Sequence, residues 1–172
     1  MELFAERGYE QTTVAEIAER AGLTARTFFR YFTDKREVVF AGSDVLAERL
    51  ITALDEAPAE TSPLAAVAAS LDVVAELIGS DHDHSGRRQA VIAANTELQE
   101  RELIKLAGWS RTLADGLRRR GVGEPAASLA AQAGVAAFLV AFDRWLNGPG
   151  DASLADTVRD SFDELRAVVS AG

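Results

Sequence analysis

The residues best suited to specific chemistry lie in the stretch AGLTARTFFRYF, residues 21–32. Two arginines, Arg26 and Arg30, stand four residues apart there, with Thr27 between them and four aromatic residues around them. A guanidinium group can donate two parallel hydrogen bonds to one planar acceptor, such as a carboxylate, a phosphate or the edge of a guanine base. Because residues four apart share one face of a helix, both arginines can be displayed side by side if this stretch is helical.

Two capped helices with a glycine between them account for this stretch. Thr13-Val-Ala-Glu16 has the form of a capping box, and apolar residues follow it at helical spacing. Gly22 is expected to end this helix, and Thr24 is the expected N-cap of the next one. A helix, a very short turn and a second helix are the outline of a helix-turn-helix.

The second helix has an inner and an outer face. Phe28 and Phe32 are four residues apart and are expected to reach the core with Leu23 and Ile17. The helical period then displays a polar and aromatic set on the outside: Arg26, Thr27, Phe29, Arg30 and Tyr31. Arginines beside a hydroxyl and an aromatic ring suit a DNA major groove, although a merely solvated face is the alternative.

A basic helix start lies just downstream. Lys35 and Arg36 follow Asp34 at the beginning of a helix that is expected to be long. Positive charge is disfavoured at the N-terminal end of a helix dipole, unless an anion lies nearby. We therefore expect a DNA phosphate near Lys35, with the hydroxyls of Thr13 and Tyr31 on the same backbone.

Composition limits the classes of function. The chain has 172 residues and a formal net charge of -9, which argues against a general polyanion binder, so that any DNA contact depends on local placement. It has no cysteine, which excludes disulfides and thiolate metal sites. Without a run of about 20 apolar residues or a basic leader, we expect a cytoplasmic protein with no membrane partner.

The same composition offers little to catalysis. His82 and His84 are the only imidazoles, and they lie in an acidic stretch between Gly79 and Gly86 that is expected to be a loop. There is no G-x-S-x-G, P-loop or G-x-G-x-x-G sequence. We therefore predict no enzyme activity, no cofactor and no functional metal site.

Helical spacing recurs along the whole chain, and no stretch alternates as a strand would, so the fold class is predicted to be all-α with about nine helices. The first three helices are short and the later ones long. A compact helix-turn-helix domain over residues 1–45 is therefore expected, followed by a helical domain over residues 46–172. The boundary would fall inside the long helix that starts near Lys35.

The residues FAERGYEQTTVAEIAERAGLTARTFFRYFTDKREVVF, Phe4–Phe40, resemble the DNA-binding domain of TetR-family transcriptional regulators. The likeness includes the Gly-Tyr after the first helix, the Thr-Thr-Val before the second, the Ala-Gly turn and the aromatic-rich third helix. It implies recognition-helix positions for Thr24, Ala25, Arg26, Thr27, Phe29 and Arg30, and phosphate-contacting positions for Thr13, Tyr31 and Lys35. It also implies that the first helix is truncated, because family members carry more residues before this point.

The run RQAVIAANTELQERELIKLAGW, Arg88–Trp109, resembles the C-terminal domain of mycofactocin-type regulators within this family, a group associated with acyl-CoA-like effectors. We expect a mainly apolar effector pocket lined by Leu71, Val74, Arg88, Val91, Ile92, Leu113, Leu117, Phe138 and Phe142. Side chains of this kind are more often simply core. The run Arg118–Arg120 would either meet an anionic ligand group or stabilise a helix end.

The last two helices predict a second copy of the chain as a partner. Residues 135–146 are apolar nearly all round, and the last helix carries apolar residues at spacings of three and four. One side can pack on the chain's own core and the other on a twofold-related copy. The expected interface consists of Leu129, Ala133, Ala137, Val140, Arg144, Leu154, Val158, Phe162 and Leu165; a purely intrachain core is the alternative.

Together with the resemblance to TetR-family regulators, these patterns predict a homodimeric transcriptional repressor, and the resemblance implies its release from a palindromic operator by a small hydrophobic or acyl-CoA-like effector. The alternative is a helical small-molecule-binding or carrier protein without DNA binding.

Overall fold

The computed structural model describes residues 1–148 and 152–170, and within this part the chain is all-α, as predicted, without a strand. Its helices are α1 (Glu2–Arg7), α2 (Val14–Arg20), α3 (Ala25–Tyr31), α4 (Arg36–Val39), α5 (Ser43–Glu56), α6 (Pro63–Gly79), α7 (His82–Ala93), α8 (Thr96–Arg119), α9 (Ala126–Asn147) and α10 (Leu154–Ser170).

One predicted helix is two in the structure. The long helix expected from Lys35 stops at Val39, where α4 ends, and α5 begins at Ser43. Gly42 lies between them with a φ of 83°, a conformation that residues with a side chain rarely adopt. This turn accounts for the difference between the nine or so helices expected and those observed. The predicted domain boundary near residue 45 stays a prediction.

The packing divides the chain into two compact units that do not follow the order of the sequence. Residues 83–103 pack with residues 1–43 in the first unit, and the second unit combines residues 44–82 with the described residues from 104 onward. The reason is an apolar core shared by α1, α4, α7 and the start of α8. Its buried members are Phe4, Tyr9, Val39, Phe40, Val91, Ile92 and Leu98.

The second unit is built on close packing of α6, α9 and α10. Gly134 of α9 lies where an added Cβ would meet Val67 of α6, so the two helices approach through a missing side chain. The core around it includes Leu50, Leu54, Leu71, Val74, Leu113, Leu117, Phe138, Trp145, Leu154, Val158 and Phe162. Burial of each large aliphatic or aromatic side chain contributes about 1.5–3 kcal/mol to folding.

Helix α9 is long and apolar enough to meet the length and composition criteria for a membrane span by itself. A core helix of a globular unit meets the same criteria. The face of α9 that carries Ala131, Gly134, Phe138 and Ala141 is buried against the other helices of its unit. The apolar character of this face of α9 is therefore explained by the packing within its unit.

The stretch from Gly79 to Gly86, expected to be a loop, is mostly helical. Helix α6 ends at Gly79, and α7 begins at His82. The His82 ring packs edge-on against Trp145 with 4.6 Å between ring centroids. Among the described residues no group of three or more His, Cys, Asp or Glu side chains is arranged to hold a metal ion.

Candidate nucleic-acid interface

Helices α2 and α3 are joined by the short turn that the sequence predicts. Gly22 adopts a φ of 67°, and the Leu23 amide donates to the Ala18 carbonyl at 2.8 Å across the turn. The capping box is present: Thr13 Oγ1 accepts from the Glu16 amide at 3.3 Å, and Glu16 Oε2 accepts from the Thr13 amide at 2.8 Å. These caps fix where α2 begins relative to the turn.

The start of α3 is capped in the same way. Thr24 Oγ1 accepts from the Thr27 amide at 3.1 Å and lies 3.0 Å from the Thr27 hydroxyl. Both hydroxyls of the predicted recognition surface therefore already take part in the cap. Their remaining hydrogen-bonding capacity is what a partner could use.

The inner face of α3 is held by aromatic rings. Phe28 is only 2% exposed, and Phe32 packs against it with 5.3 Å between ring centroids. Leu23, which was expected to join this core, is instead 44% exposed, because it lies in the turn before α3. Two rings anchor a helix of only seven residues, so its orientation depends on them.

The outer face of α3 gathers most of the predicted DNA-reading residues on one exposed surface. Its members are Thr24, Ala25, Arg26, Phe29, Arg30 and Tyr31, with Thr27 partly buried beside them. Phe29 and Tyr31 are 58% and 65% exposed, which is unusual for large aromatic side chains. The two arginines differ from each other. Arg30 Nη2 donates to the Tyr31 hydroxyl at 2.8 Å and its guanidinium lies 4.8 Å from the ring centroid, whereas no hydrogen bond or ion pair with the described residues involves the Arg26 side chain.

The numbers of acidic and basic residues in α1–α4 do not show which of the basic side chains are paired with carboxylates. Arg7 pairs with Glu16 at 2.5 Å, Arg20 with Glu6 at 3.2 Å and with Glu2 at 3.5 Å. Arg36 pairs with Asp34, and its guanidinium holds the pKa of that carboxyl below its usual range. By contrast, no ion pair to a described carboxylate involves either arginine of α3. Among the arginines of α1–α4, those without a carboxylate partner in the described part of the chain are therefore the two on α3.

The residues expected to contact phosphates are placed differently from one another. Tyr31 is exposed next to Arg30, as a phosphate contact requires. The Thr13 hydroxyl donates to Glu16 Oε2 at 2.8 Å within the capping box. Lys35 is partly buried, and its ammonium is directed at backbone carbonyls of the turn before α2.

The residues expected to line one effector pocket belong to two separate cores. Leu71, Val74, Leu113, Leu117, Phe138 and Phe142 contribute to the second unit, whereas Arg88, Val91 and Ile92 belong to the first. The sequence pattern identified apolar helix faces but not the partners against which they pack. The predicted lining of one effector pocket therefore stays a prediction.

Arg88 in particular is occupied within its own unit. Its Nε donates to the Val39 carbonyl at 3.0 Å, its Nη1 lies 3.2 Å from Glu102, and its guanidinium covers the Phe40 ring at 5.1 Å. Burial lowers the pKa of Arg88, and the Glu102 carboxylate opposes that effect. Arg88 therefore fastens α4 to α7 and α8.

The arginines at the end of α8 are also engaged. Arg120 donates to the carbonyls of Leu54, Ala57 and Pro58 at 3.1, 2.7 and 2.6 Å, where α5 ends. Arg118 forms ion pairs with Asp115 and Glu124. These contacts favour the helix-end interpretation of the basic run over a contact with an anionic ligand group.

The predicted dimer interface is only partly available to a second copy. Leu129 and Val140 are 63% and 54% exposed, Arg144 is exposed beside Glu164, and Ala133 and Leu165 are partly buried. The others are corrected, because they lie in the chain's own core: Ala137, Leu154, Val158 and Phe162. Further exposed apolar side chains on α9 and α10, beyond the predicted interface set, are Leu139, Val168 and Val169.

Family models match both parts of the chain. Residues 1–41 match the model described as bacterial regulatory proteins of the tetR family, and residues 61–170 match the MftR C-terminal domain. The chain belongs to the TetR family of transcriptional regulators. This confirms the resemblance drawn from Phe4–Phe40 and Arg88–Trp109. It also confirms that the chain is not an enzyme, because its relatives in the TetR family are transcriptional regulators.

Two curated TetR-family relatives are similar in sequence. TcmR of Streptomyces glaucescens, an HTH-type transcriptional regulator, is 36% identical over 111 residues, which cover 64% of this chain and 49% of TcmR. MftR of Mycobacterium tuberculosis (strain ATCC 25618 / H37Rv), named as a mycofactocin biosynthesis transcriptional regulator, is 29% identical in a match that covers 97% of this chain and 85% of MftR. The similarity to TcmR thus spans about half of that protein.

Solved TetR-family structures share the fold. FadR of Thermus thermophilus, a transcriptional repressor in complex with lauroyl-CoA, is 22% identical with a TM-score of 0.61, covering 96% of this chain and 89% of FadR. FadR of Bacillus halodurans, a fatty acid degradation regulator, is 21% identical with a TM-score of 0.64, covering 95% and 89%. At this level of identity the likeness concerns the fold alone.

Proposed function

We propose that the chain is a homodimeric repressor that binds a palindromic operator in the cytoplasm and leaves it when a small hydrophobic or acyl-CoA-like effector binds. The observation that carries the proposal is the outer face of α3. Its two arginines have no carboxylate partner among the described residues, and two large aromatic side chains are exposed next to them.

In this proposal α3 enters the major groove. Arg26 and Arg30 pair with the O6 and N7 atoms of guanine, and the ring of Phe29 and the methyl group of Ala25 meet thymine methyl groups. Tyr31 contacts a phosphate while its hydroxyl accepts from Arg30. The hydroxyls of Thr13, Thr24 and Thr27 already form hydrogen bonds in the helix caps. Each can still form a further hydrogen bond, and these residues remain candidates for contacts with the DNA backbone.

The homodimer is supported by exposed apolar side chains on α9 and α10. Leu129, Leu139 and Val140 of α9 are 63%, 40% and 54% exposed, and Val168 and Val169 of α10 are 74% and 71% exposed. Binding to two half-sites one turn of DNA apart would require the two copies of α3 in the dimer to lie about 34–36 Å apart. The operator would then consist of two half-sites with the symmetry of the protein.

The effector class is supported by the comparisons and not by a pocket. Residues 61–170 match the C-terminal domain of MftR, and the similar T. thermophilus FadR is described in complex with lauroyl-CoA. An acyl chain would need an apolar environment, which long apolar helices can provide. We therefore propose a fatty acyl-CoA or a hydrophobic molecule of similar size.

Selection of bound sequences from random double-stranded DNA by the full-length protein tests this function. The proposal predicts an enriched palindrome whose half-site centres are about 10 base pairs apart. It also predicts that guanines in each half-site lose enrichment when Arg26→Ala or Arg30→Ala is used. Recovery of no sequence by folded protein would support the helical carrier without DNA binding instead.

A further inference from the structure

An ion pair joins Arg101 of α8 to Glu37 of α4. Arg101 Nε donates to Glu37 Oε1 at 2.9 Å, and Arg101 Nη2 lies 2.7 Å from the same oxygen. The two side chains are 39% and 23% exposed, so the pair is partly shielded from solvent. Although Arg101 lies 64 residues after Glu37 in the chain, both belong to the first compact unit. The start of α8 is therefore tied directly to the short helix that follows the helix-turn-helix.

Helix α4 depends on contacts with other helices, because it has only four residues. Helices shorter than about 12–15 residues are marginally stable by themselves in water, and the turn at Gly42 separates α4 from α5. Arg101 contacts Glu37 in the first turn of α4. At the other end, Arg88 Nε donates to the Val39 carbonyl at 3.0 Å. Arginines from α7 and α8 thus hold both ends of α4.

The position of α4 matters to the DNA-reading helices through a shared core. Val39 and Phe40 of α4 are buried in the apolar core that also contains Phe4, and Ile17 of α2 packs against the same core. Because α2 packs directly on α3, a displacement of α4 can change how α3 is presented. Apolar contacts are not directional, whereas two donors that meet one carboxylate oxygen specify a position.

We propose that Arg101 is a positioning residue for DNA reading: through Glu37 it holds α4, and thereby α2 and α3, in the arrangement that binds the operator. DNA reading then depends on a residue in the part of the chain that was expected to bind the effector and to dimerise. This inference rests on the proposed function for its effect on operator affinity. Its structural half, the fixed position of α4, is independent of DNA.

Breaking the pair from either side separates this role from a direct DNA contact. Arg101→Met removes the guanidinium, and Glu37→Gln keeps the size of the side chain while removing its charge. If the two residues act through each other, the double variant binds the operator no more weakly than Glu37→Gln alone. A direct DNA contact of Arg101 would instead be lost with or without Glu37.

Arg159→Met is the matched control, because it also removes one cation and breaks an ion pair between two helices. Arg159 of α10 lies 2.9 Å from Asp72 of α6, in the second unit. Their side chains are 52% and 24% exposed, similar to those of the pair under test.

Three quantities are measured on the full-length variants: hydrogen exchange of the Ala41 amide, which donates to the Val38 carbonyl at 3.3 Å; operator affinity; and the dependence of that affinity on salt. A partly exposed ion pair corresponds to a factor of up to about five in an equilibrium constant. We therefore expect about fivefold faster exchange at Ala41 and about three- to fivefold weaker operator binding in Arg101→Met and in Glu37→Gln, with an unchanged salt slope. Arg159→Met should keep the wild-type value of all three.

Wild-type exchange at Ala41 in both variants, or additive losses of affinity in the double variant, would overturn the proposal. A salt slope reduced by about 0.9 in Arg101→Met would also overturn it and identify a phosphate contact. If Arg101→Met does not fold, Arg101→Gln takes its place in the same measurements. If the wild-type protein binds no DNA, the proposed function fails, but the exchange of Ala41 still decides whether Arg101 fixes α4.

Discussion

Arg30 differs from Arg7, Arg20 and Arg36 in that its partner is a phenol and not a carboxylate. Its charge is therefore available to an acceptor outside the chain, while the Tyr31 hydroxyl limits the directions it can take. We expect Arg30→Ala to weaken operator binding by about 1–3 kcal/mol and to relax the preference at one base position. Competition binding with operators changed one base pair at a time measures both effects.

The contrasting variant is Tyr31→Phe, which keeps the ring under the guanidinium and removes the hydroxyl. It should weaken binding less than Arg30→Ala, because one phosphate contact and one orienting hydrogen bond are lost while the base contact remains. Unchanged affinity and unchanged base preference in Arg30→Ala would show that Arg30 does not read a base.

Asp34 provides a prediction on pH. Its carboxylate accepts from the Arg36 amide at 2.8 Å and from Arg36 Nε at 3.0 Å, and the guanidinium lowers the pKa of Asp34. Since the folded-state pKa lies below the unfolded value of about 3.9, this contribution to the free energy of unfolding is present above that pH and is lost as the pH falls through the folded pKa.

Asp34→Asn removes the titrating group, so the stability difference between wild type and variant should be largest near neutral pH. It should shrink as the pH is lowered from about 5 to about 2, which urea unfolding at a series of pH values measures. A difference that stayed constant over this range would mean that the ion pair does not contribute through the ionised carboxylate.

At the level of single residues, the sequence predicted those features that depend on contacts between residues close together in the chain. The caps of Thr13 and Thr24 depend on residues three positions away, and the display of Arg26 and Arg30 depends on the helical period alone. The environment of Lys35 could not be read in this way, because its partners lie in a turn that only the folded unit brings close.

At the level of helices, the sequence predicted that helices form better than it predicted where they break and against which other helices they pack. Gly42 stands in an otherwise helical pattern, which by itself does not end a helix; its positive φ becomes visible only in the structure. Val91 and Ile92 mark an apolar face of α7, but the pattern does not indicate that Phe4 and Phe40 cover it. Packing partners distant in sequence were thus the main source of error.

The packing of α6 against α9 gives a prediction at the same scale. A Cβ at Gly134 would collide with Val67, which is fully buried, and would also come within 3.5 Å of Leu71 and Phe162. We expect Gly134→Ala to lower the free energy of unfolding by about 1–3 kcal/mol, because the two helices must move apart. Denaturant unfolding monitored by circular dichroism measures the change.

The matched control is Gly108→Ala in α8, where an added Cβ would meet no atom within 4 Å. Alanine favours a helix interior over glycine by up to about 1 kcal/mol, so this variant should be slightly stabilised. The two substitutions are chemically identical, and opposite signs are expected. If Gly134→Ala were also stabilising, the close approach of α6 and α9 would be wrong.

At the level of the whole molecule, the dimer can be tested on its exposed surface. Val140 on α9 and Val45 on α5 are both 54% exposed, so glutamate at either position should leave the folded chain intact. We expect Val140→Glu to shift the protein from dimer to monomer, because it places a charge in the proposed interface. Val45→Glu should remain dimeric. Sedimentation velocity measures both, and equal behaviour of the two variants would place the interface elsewhere.

The effector prediction also belongs to the whole molecule. Dodecanoyl-CoA should weaken operator binding by about 5- to 150-fold, the range typical of coupling between two sites, whereas free CoA should have little effect. Because coupling between binding sites is reciprocal, operator DNA should weaken acyl-CoA binding by the same factor. Calorimetry with and without operator measures the second quantity, and a mismatch of the two factors would rule out simple linkage.

The central claim is that α3 reads DNA through arginines that have no carboxylate partner in the described chain. Its most direct test uses fluorescently labelled DNA from the region upstream of the protein's own gene. The fluorescence anisotropy of this DNA is measured as the full-length protein is added, at two salt concentrations. The account predicts specific binding that weakens steeply with salt, and a large loss of affinity in the double variant Arg26→Ala/Arg30→Ala. Equal binding by wild type and double variant, or no binding to this DNA or to any selected sequence by a folded dimer, would contradict it.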